Sequence, residues 1–283
     1  MINYAPLGRR YLWFWKDYFM EIYELLDQKI AEAELVLVGI GSGLQYDWNL
    51  IANDENYSAL AEQAGEGNEF DQFFSFLQAD LMKKKVDSEL GACFSHLAEK
   101  LEGKNYYIIT TTIDDVIFQS GFDKERIVTP CGGFRKLQCI DNCSQELIDT
   151  ELIDWPYIRS CYTANRLPVD YHKLVCPHCG KELVYNQVGT GIYCEQGYLE
   201  QWNHYTKWLM GTMHKKVVLL ELGVGLEFPT IIRSPFEKMV TYNQTAFLCR
   251  VHPSMSQLFL GEEALSRAVG TETDVREFVE NWK

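Results

Sequence analysis

Two pairs of closely spaced cysteines constrain the fold of this chain more than any other feature. Three residues separate Cys139 from Cys143, two separate Cys176 from Cys179, and 32 residues lie between the pairs. Four thiolates at such spacing are typical of a tetrahedral zinc site, and the second pair lies in the turn-forming sequence Cys-Pro-His-Cys-Gly. We therefore predict a structural Zn²⁺ site formed by these four cysteines.

Two alternatives to this zinc site stay open at the level of sequence. The four thiols can be reduced and lie apart in the fold, or His178 can take the place of one thiolate. The five other cysteines are scattered and odd in number, so no disulfide framework explains them, which is typical of a cytoplasmic protein. These are Cys93, Cys131, Cys161, Cys194 and Cys249.

The charge balance limits the classes of partner. The chain has 40 acidic and 26 basic residues, a net charge of −14. Nucleic acids and anionic membranes attract clustered Lys and Arg, so binding to either is not expected. No run is long and apolar enough to span a bilayer, and Met1–Trp15 has two arginines and no signal-type apolar core. We expect a cytoplasmic protein.

Continuous apolar runs predict a parallel sheet. Such runs, without polar alternation, are typical of strands that are covered on both faces by helices. The predicted strands are Leu35–Val38, Tyr106–Ile109, Val217–Leu222 and Ala246–Val251. The predicted helices are Tyr11–Ala33, Phe70–Leu101, Tyr198–Met213, Pro229–Val240 and Glu262–Trp282, and Tyr46–Gly67 is predicted as a polar, mobile loop with short helices. The fold class is therefore α/β, a Rossmann-like doubly wound parallel sheet with a small zinc-binding insertion.

Two of the predicted strands end in glycine-rich turns. Gly39, Gly41 and Gly43 follow the first strand, and Gly223 and Gly225 follow the third. Glycines beyond a buried strand let the backbone approach a phosphate closely, and the following amides can donate to it. A tight turn also requires glycine, so phosphate binding and a purely structural turn are both open.

A polar run follows the second strand. Thr110, Thr111, Thr112, Asp114 and Asp115 come at its carboxyl end, where open α/β sheets bind their ligands. Asp114 has two interpretations: it can accept a hydrogen bond from a sugar hydroxyl, or it can cap the helix that begins there.

Taken in order, these motifs resemble the sirtuins. The shared series is a glycine turn, a Thr-Thr-x-Ile-Asp run, Gly121-Phe122, Cys131-Gly132, the four cysteines, and a strand that ends in Gly-x-Gly. The resemblance extends from about Leu35 to Val251. It is closest to the divergent bacterial sirtuins linked with macrodomain genes, which have stretches very similar to Phe118–Lys124 and Leu220–Pro229.

The resemblance implies an NAD⁺ site between two domains. It implies a Rossmann-like NAD-binding domain over residues 1–134 and 192–283, and a zinc-binding small domain over residues 135–191. In this interpretation the first glycine turn holds the pyrophosphate, Asp114 lies near nicotinamide, and the later turn lies on the adenosine side. The predicted cofactor-binding residues are Gly39, Gly41, Ser42, Gly43, Thr111, Asp114, Gly223 and Gly225.

Several positions depart from the sirtuin pattern. Thr111 and Thr112 replace a Gln-Asn pair, and a threonine hydroxyl lacks the paired donor and acceptor of an amide. Cys131 replaces the general-base histidine. An arginine of the macrodomain-linked relatives falls near Val188, and an asparagine of the last strand falls near Val251. No arginine follows the first glycine turn.

The catalytic candidates are therefore Thr112, Asp114 and Cys131. A Cys131 thiolate can act as a base or nucleophile if its pKa is depressed, with help from Arg135 and Lys136. The alternative, which we favour, is a small residue that fills the space of the missing histidine. Deacylation by the usual sirtuin mechanism is then not expected, because it needs a base on the ribose hydroxyls.

Three functions remain, and we favour the first. It is an NAD-binding sirtuin-like protein with lost or reduced catalysis. The second is a working NAD-dependent protein ADP-ribosyltransferase, or an NAD hydrolase, with rearranged catalytic groups. The third is a non-catalytic interaction module. A protein substrate or partner is compatible with each of them.

Overall fold

The computed structural model describes residues 10–85 and 87–283, with side chains from Met20 onward. The prediction made for Met1–Trp15 therefore lies largely outside the described residues. In the described part, no helix is both long enough and apolar enough to cross a membrane.

A six-stranded parallel sheet forms the centre of the fold. Its strand order is β3-β2-β1-β7-β8-β9, and every pairing is parallel. All four predicted strands are present, and two short strands extend the edges. The strands of this sheet are β1 (Leu35–Ile40), β2 (Tyr106–Thr110), β3 (Ile127–Val128), β7 (Val217–Leu222), β8 (Ala246–Val251) and β9 (Ala268–Thr271).

Helices cover both faces of this sheet. The helices of the described residues are α1 (Arg10–Glu32), α2 (Asn49–Ala52), α3 (Glu55–Ala64), α4 (Asp71–Lys84), α5 (Ser88–Lys100), α6 (Trp155–Ala164), α7 (Gln196–Met210), α8 (Arg233–Tyr242), α9 (Glu262–Leu265) and α10 (Val275–Asn281). The predicted helix over Phe70–Leu101 is two helices, α4 and α5. The predicted helix over Glu262–Trp282 is α9 and α10, with β9 between them. The predicted doubly wound α/β architecture is confirmed.

Alternate side chains of β1 enter two separate cores. Val36, Val38 and Ile40 pack with α1, α5 and α10, whereas Leu35 and Leu37 pack with α7 and α8. Successive side chains of a strand point to opposite faces, so a strand buried on both faces needs an unbroken apolar run. This is why β1 has no alternation of polar and apolar residues.

Aspartates begin four of the helices. The side chains of Asp54, Asp87, Asp154 and Asp274 accept hydrogen bonds from backbone N–H groups in the first turns of α3, α5, α6 and α10. An aspartate at this position satisfies one of the N–H groups that the helix itself leaves free.

A second, smaller sheet contains the cysteine pairs. It is antiparallel with strand order β5-β4-β6, formed by β4 (Gly132–Cys139), β5 (Ile148–Asp149) and β6 (Leu183–Gln187). The sheet begins at Gly132, three residues before the predicted start of the small domain. Helix α6 lies between β5 and β6 in the chain.

The segment Tyr46–Gly67, predicted as a mobile loop with short helices, contains two short helices, α2 and α3. Helices α3 and α4 both contact α6. Gln72 of α4 is buried and accepts from the backbone N–H of Leu174, while its amide nitrogen donates to the carbonyls of Leu174 and Leu183. The small sheet is thus held by elements from two separate parts of the sequence.

Candidate functional site

The four predicted zinc ligands converge on one point. The Sγ atoms of Cys139, Cys143, Cys176 and Cys179 all lie within 4.8 Å of one another. The Cys139–Cys179 and Cys143–Cys176 sulfur pairs are each 3.5 Å apart. Four sulfurs at the usual Zn–S distance in a tetrahedron lie about 3.8 Å apart. The cluster therefore fits a Zn²⁺ ion with four thiolate ligands and no open position.

The backbone around each pair forms a tight turn. Gly180 has a φ of +74° and donates to the carbonyl of Cys176, and Asn142 donates to the carbonyl of Cys139. His178 is half exposed, and its Nε2 lies 2.7 Å from a carboxylate oxygen of Glu146. The imidazole is thus directed to a surface carboxylate, so the structure favours four cysteines over the His178 alternative.

The two glycine turns cross at the carboxyl edge of the six-stranded sheet. Gly43 N–H donates to the carbonyl of Gly223, and Gly41 N–H donates to the carbonyl of Leu222. A Cβ on Gly41 would lie 2.4 Å from backbone atoms of Gly223 and Val224, and one on Gly43 would lie 2.7 Å from the Gly223 Cα. Glycine is required here because two backbones touch.

Gly39 and Gly225 have other environments. Gly39 is inside β1, which extends two residues beyond the predicted strand, and a Cβ there would lie 2.3 Å from the Ile232 side chain. Gly39 therefore permits close packing just before and within α8. A Cβ on Gly225 would lie 2.2 Å from the Glu227 carboxylate.

Ser42 is the exposed member of the first glycine turn and begins a short 3₁₀ turn that ends at Leu44. In the described part of the chain, no carbonyl accepts a hydrogen bond from its N–H, whereas the N–H groups of Gly41, Gly43 and Leu44 have backbone partners. The Ser42 N–H is therefore available to water or to a ligand.

The threonines at the end of β2 form hydrogen bonds with one another or with β1. The hydroxyls of Thr110 and Thr112 lie 2.8 Å apart, and both side chains are buried. Thr111 is half-buried, and its N–H donates to the carbonyl of Ile40. The Thr112 hydroxyl therefore already has a partner.

Asp114 connects the polar run with the loop after the first glycine turn. Its carboxylate accepts from the backbone N–H of Tyr46 at 2.6 Å and from that of Val116 at 3.0 Å. The side chain is 1% exposed, and burial raises its pKa to about 6, against the opposing effect of these two hydrogen bonds. It therefore accepts from two backbone amides, one of them at the start of a 3₁₀ turn over Val116–Gln119, whose cap position is occupied by Asp115.

We expect the stability of the chain to depend on the ionisation of Asp114. Because the folded pKa of about 6 exceeds the ordinary aspartate pKa of 3.8, this carboxyl contributes stability below pH 4 that is lost as the pH rises through 6. The shift corresponds to about 3 kcal/mol. Relative to Asp114→Asn, the free energy of unfolding of the wild-type chain should fall by about this amount between about pH 3 and pH 7.

Urea denaturation of both proteins across this pH range measures the effect. Asn cannot ionise, and it can accept both backbone hydrogen bonds only through its single carbonyl oxygen, so Asp114→Asn has a constant offset from the wild type and lacks only the pH-dependent part. Parallel stability curves for the two proteins would contradict a raised Asp114 pKa.

Asp115, next to it, links this loop to the small sheet. It has a left-handed backbone conformation, accepts from the N–H of Phe134 at 2.5 Å, and forms an ion pair with Arg135 at 3.3 Å. Burial raises the pKa of Asp115, whereas the Arg135 guanidinium lowers it. The Arg135 guanidinium also lies 3.8 Å from the centre of the Phe118 ring. The sequence offered Arg135 as an aid to Cys131, but the structure pairs it with Asp115.

Cys131 is a buried thiol. It is 1% exposed, and burial raises its pKa to about 12. At neutral pH the group is therefore protonated, which favours the interpretation of a small space-filling residue. Its carbonyl accepts from the N–H of Val188, and the carbonyl of Val251 accepts from the N–H of Gly223. Val188 and Val251, near which the resemblance puts an arginine and an asparagine, thus contact the predicted site through their backbone atoms.

A buried ion network lies beneath the second glycine turn and was missed in the sequence. Glu221 on β7 and Arg250 on β8 are opposite each other in register, and both are 0% exposed. Arg233 lies 3.2 Å from the Glu221 carboxylate and donates to the carbonyl of Val224. The available signal was a single charged residue at the fifth position of each of two six-residue apolar strands.

Cavity volume does not identify the site. Cavities of about 420 and 490 Å³ lie at and beside the amino ends of β7 and β8, away from the glycine turns. A cavity of about 330 Å³ adjoins the predicted site and is lined in part by Tyr46, Asp87 and Val116. Since ligands of open α/β sheets bind at the carboxyl ends of the strands, we assign the site by topology and chemistry rather than by volume.

No family model matches the chain, whereas some known proteins are similar to it in sequence. A protein ADP-ribosyltransferase of Staphylococcus aureus is 24% identical over 244 residues, covering 79% of this chain and 75% of that protein. A "Probable bifunctional ADP-ribose hydrolase/ADP-ribosyltransferase" of Fusarium oxysporum f. sp. cubense is 26% identical over 145 residues, covering 49% of this chain and only 24% of that protein.

Two similar solved structures are Sir2 proteins. The structure of Sir2Tm bound to a propionylated peptide has a TM-score of 0.50 and 17% identity, and it covers 92% of this chain and 96% of its own. A mutant Sir2 homologue in complex with ADP-ribose has a TM-score of 0.50 and 14% identity, with 92% and 94% covered. The chain therefore has the sirtuin fold, and its sequence resembles that of protein ADP-ribosyltransferases.

Proposed function

We propose that this chain binds NAD⁺ at the carboxyl edge of its six-stranded sheet and has lost most or all of its transfer chemistry. The observation that carries the proposal is the crossing of the two glycine turns between β1 and β7. The chain leaves β1 toward β2 and β3 on one side, then returns to place β7 on the other side. Such a switch in strand order opens a crevice, and dinucleotides bind there in doubly wound folds.

The groups around this crevice suit a dinucleotide. The Ser42 N–H is available to a phosphate oxygen, and Ser42 is the exposed residue of the first glycine turn. Asp114 and Thr111 follow the adjacent strand, where the sirtuin resemblance puts nicotinamide and its ribose. The adenosine half then lies toward Gly223 and Gly225.

Two features support a loss of catalytic activity toward NAD⁺. The Cys131 thiol is protonated at neutral pH and cannot act as a general base. The Thr112 hydroxyl, which stands where sirtuins have an amide, is buried and paired with Thr110. Neither group is ready to activate a ribose hydroxyl or a water molecule.

A second candidate function is NAD-dependent protein ADP-ribosyl transfer, with NAD hydrolysis as its variant. It is favoured by the similarity to the Staphylococcus aureus protein, which is named for this activity and matches over most of both chains. Such an enzyme releases nicotinamide, whereas a protein that only binds NAD⁺ does not. Under either function, a protein substrate or partner stays a prediction.

A negative charge introduced at the first glycine turn tests NAD⁺ binding. Ser42 is exposed, so Ser42→Asp should fold normally and put a negative charge beside the pyrophosphate. We expect calorimetric titration with NAD⁺ and ADP-ribose to show about tenfold weaker binding, or about 1.4 kcal/mol, from like-charge repulsion. Gly41→Val is a poorer test because its side chain would collide with the Gly223 backbone whether or not a ligand is present.

Ser266→Asp is the matched control. It adds the same charge at an exposed serine near the start of β9, away from the carboxyl edge, and should bind NAD⁺ as the wild-type chain does. No heat from the wild-type chain at millimolar ligand would contradict NAD⁺ binding and leave an interaction module of sirtuin fold. Nicotinamide release over hours in the same samples would instead support the transferase or hydrolase.

A further inference from the structure

The segment that follows the first glycine turn is held in place at three consecutive residues. Tyr46 is buried, its N–H donates to Asp114, and its hydroxyl donates to the carbonyl of Lys85. The Asp47 N–H donates to Asp87 at 3.1 Å. The carbonyl of Gln45 accepts a hydrogen bond from a side chain far away in the sequence.

That side chain is Arg276, on the last helix. Its Nη2 donates to the Gln45 carbonyl at 2.6 Å and lies 3.2 Å from a carboxylate oxygen of Asp87. Its Nη1 donates to the other Asp87 oxygen at 3.3 Å. One guanidinium therefore joins α10, the segment 44–47 and the amino-terminal end of α5, across 231 residues of sequence.

Asp87 makes this arrangement specific to arginine. It is 5% exposed and accepts from the N–H groups of Leu90 and Asp47 as well as from Arg276. The planar fork of a guanidinium can face both carboxylate oxygens and still reach a carbonyl, whereas a lysine ammonium is a single compact charge. Arg276 is 20% exposed, so the contact is partly shielded from solvent.

We propose that Arg276 is a positioning residue for NAD⁺ binding, and this inference rests on the proposed function. Arg276 holds segment 44–47 against Asp87, and this keeps the Tyr46 N–H on Asp114 at the predicted nicotinamide end. The free chain then already has the conformation that the ligand requires. If loss of Arg276 reduces the fraction in that conformation tenfold, the apparent Kd rises about tenfold.

The first measurement is amide hydrogen exchange in the ligand-free chain. In Arg276→Gln, the N–H groups of Tyr46 and Asp47 should exchange about tenfold faster than in the wild type, because their partners are no longer fixed. The control is Glu89→Gln, which removes an exposed carboxylate 3.9 Å from Arg276 and leaves the contacts with Gln45 and Asp87. Unchanged exchange in Arg276→Gln would overturn the proposal.

The second measurement is calorimetric titration of the same variants with NAD⁺. Arg276→Gln should bind about tenfold more weakly, and Glu89→Gln should bind as the wild type does. Arg276→Lys keeps the charge but not the planar fork of the guanidinium, so its NAD⁺ affinity should also be lower than that of the wild type. Full affinity in Arg276→Lys with fast exchange at Tyr46 would overturn positioning, because charge alone would then suffice.

The two measurements also separate this inference from the proposed function. If the wild-type chain binds no NAD⁺, the proposed function fails and the role of Arg276 in binding fails with it. The exchange experiment still reports whether Arg276 holds the segment. If the wild type binds NAD⁺ and Arg276→Gln binds equally well with faster exchange, only the positioning role is overturned.

Discussion

Replacing Cys176 with serine is expected to abolish stoichiometric zinc binding and to unfold the small antiparallel sheet. Cys176 is buried within the cluster, and a serine hydroxyl is a poor substitute for a thiolate ligand. A structural zinc ion contributes about 10–16 kcal/mol of apparent binding free energy at pH 7, and most of this is folding free energy. Since whole domains are stable by about 5–15 kcal/mol, the small sheet should not remain folded without the metal.

Cys194→Ser is the matched control for this prediction. Cys194 is also buried in the same region, but it is not part of the cluster. Zinc content per chain and the Tm should be measured for the wild type and both variants. We expect one zinc ion in the wild type and in Cys194→Ser, and far less than one in Cys176→Ser with a lower Tm. Wild-type zinc content in Cys176→Ser would contradict a four-thiolate site.

Both the zinc cluster and the central sheet were predictable because their signals are local. Two short cysteine spacings define two turns, and only the distance between those turns has to be supplied by the fold. The strands β1, β2, β7 and β8 are unbroken apolar runs, which few other structures permit. The edge strands β3 and β9 were missed because they are short and have a single neighbour each, so their sequences need not be apolar throughout.

The site was less predictable because its contacts join distant parts of the sequence. The spacing of Gly39, Gly41 and Gly43 suggests one phosphate turn, yet Gly39 serves packing against α8 and the other two serve contact with Gly223. Nothing near Gln45 in the sequence indicates Arg276. Such pairings depend on how helices pack on the sheet, and no local pattern encodes that.

A charged residue within a buried strand was the most informative signal that the sequence interpretation did not use. The strands that contain Glu221 and Arg250 were predicted correctly as doubly buried, and this alone requires a partner for each charge. An isolated buried charge costs several kcal/mol, so two opposite charges in two buried strands imply a pair. The register of β7 and β8 confirms it.

Replacing Arg250 with methionine is expected to lower the free energy of unfolding by about 3–5 kcal/mol, because the Glu221 carboxylate is left buried with only Arg233 as a partner. In a chain of this size this corresponds to a fall of roughly 10 °C in Tm. The matched control removes an exposed ion pair: Glu34→Gln breaks the contact with Lys215 and should cost less than about 1 kcal/mol.

The pH dependence and the double variant identify the cause of this loss. Burial already raises the pKa of Glu221 against the effect of Arg250, so removing Arg250 should raise it further. A raised folded pKa contributes stability at low pH that is lost as the pH rises. Arg250→Met should therefore lower the free energy of unfolding less at pH 5 than at pH 8. Adding Glu221→Leu removes the unpaired charge and should recover part of the stability. Chemical denaturation measures all three proteins, and a double variant less stable than Arg250→Met at pH 8 would show that the loss comes from packing rather than from charge.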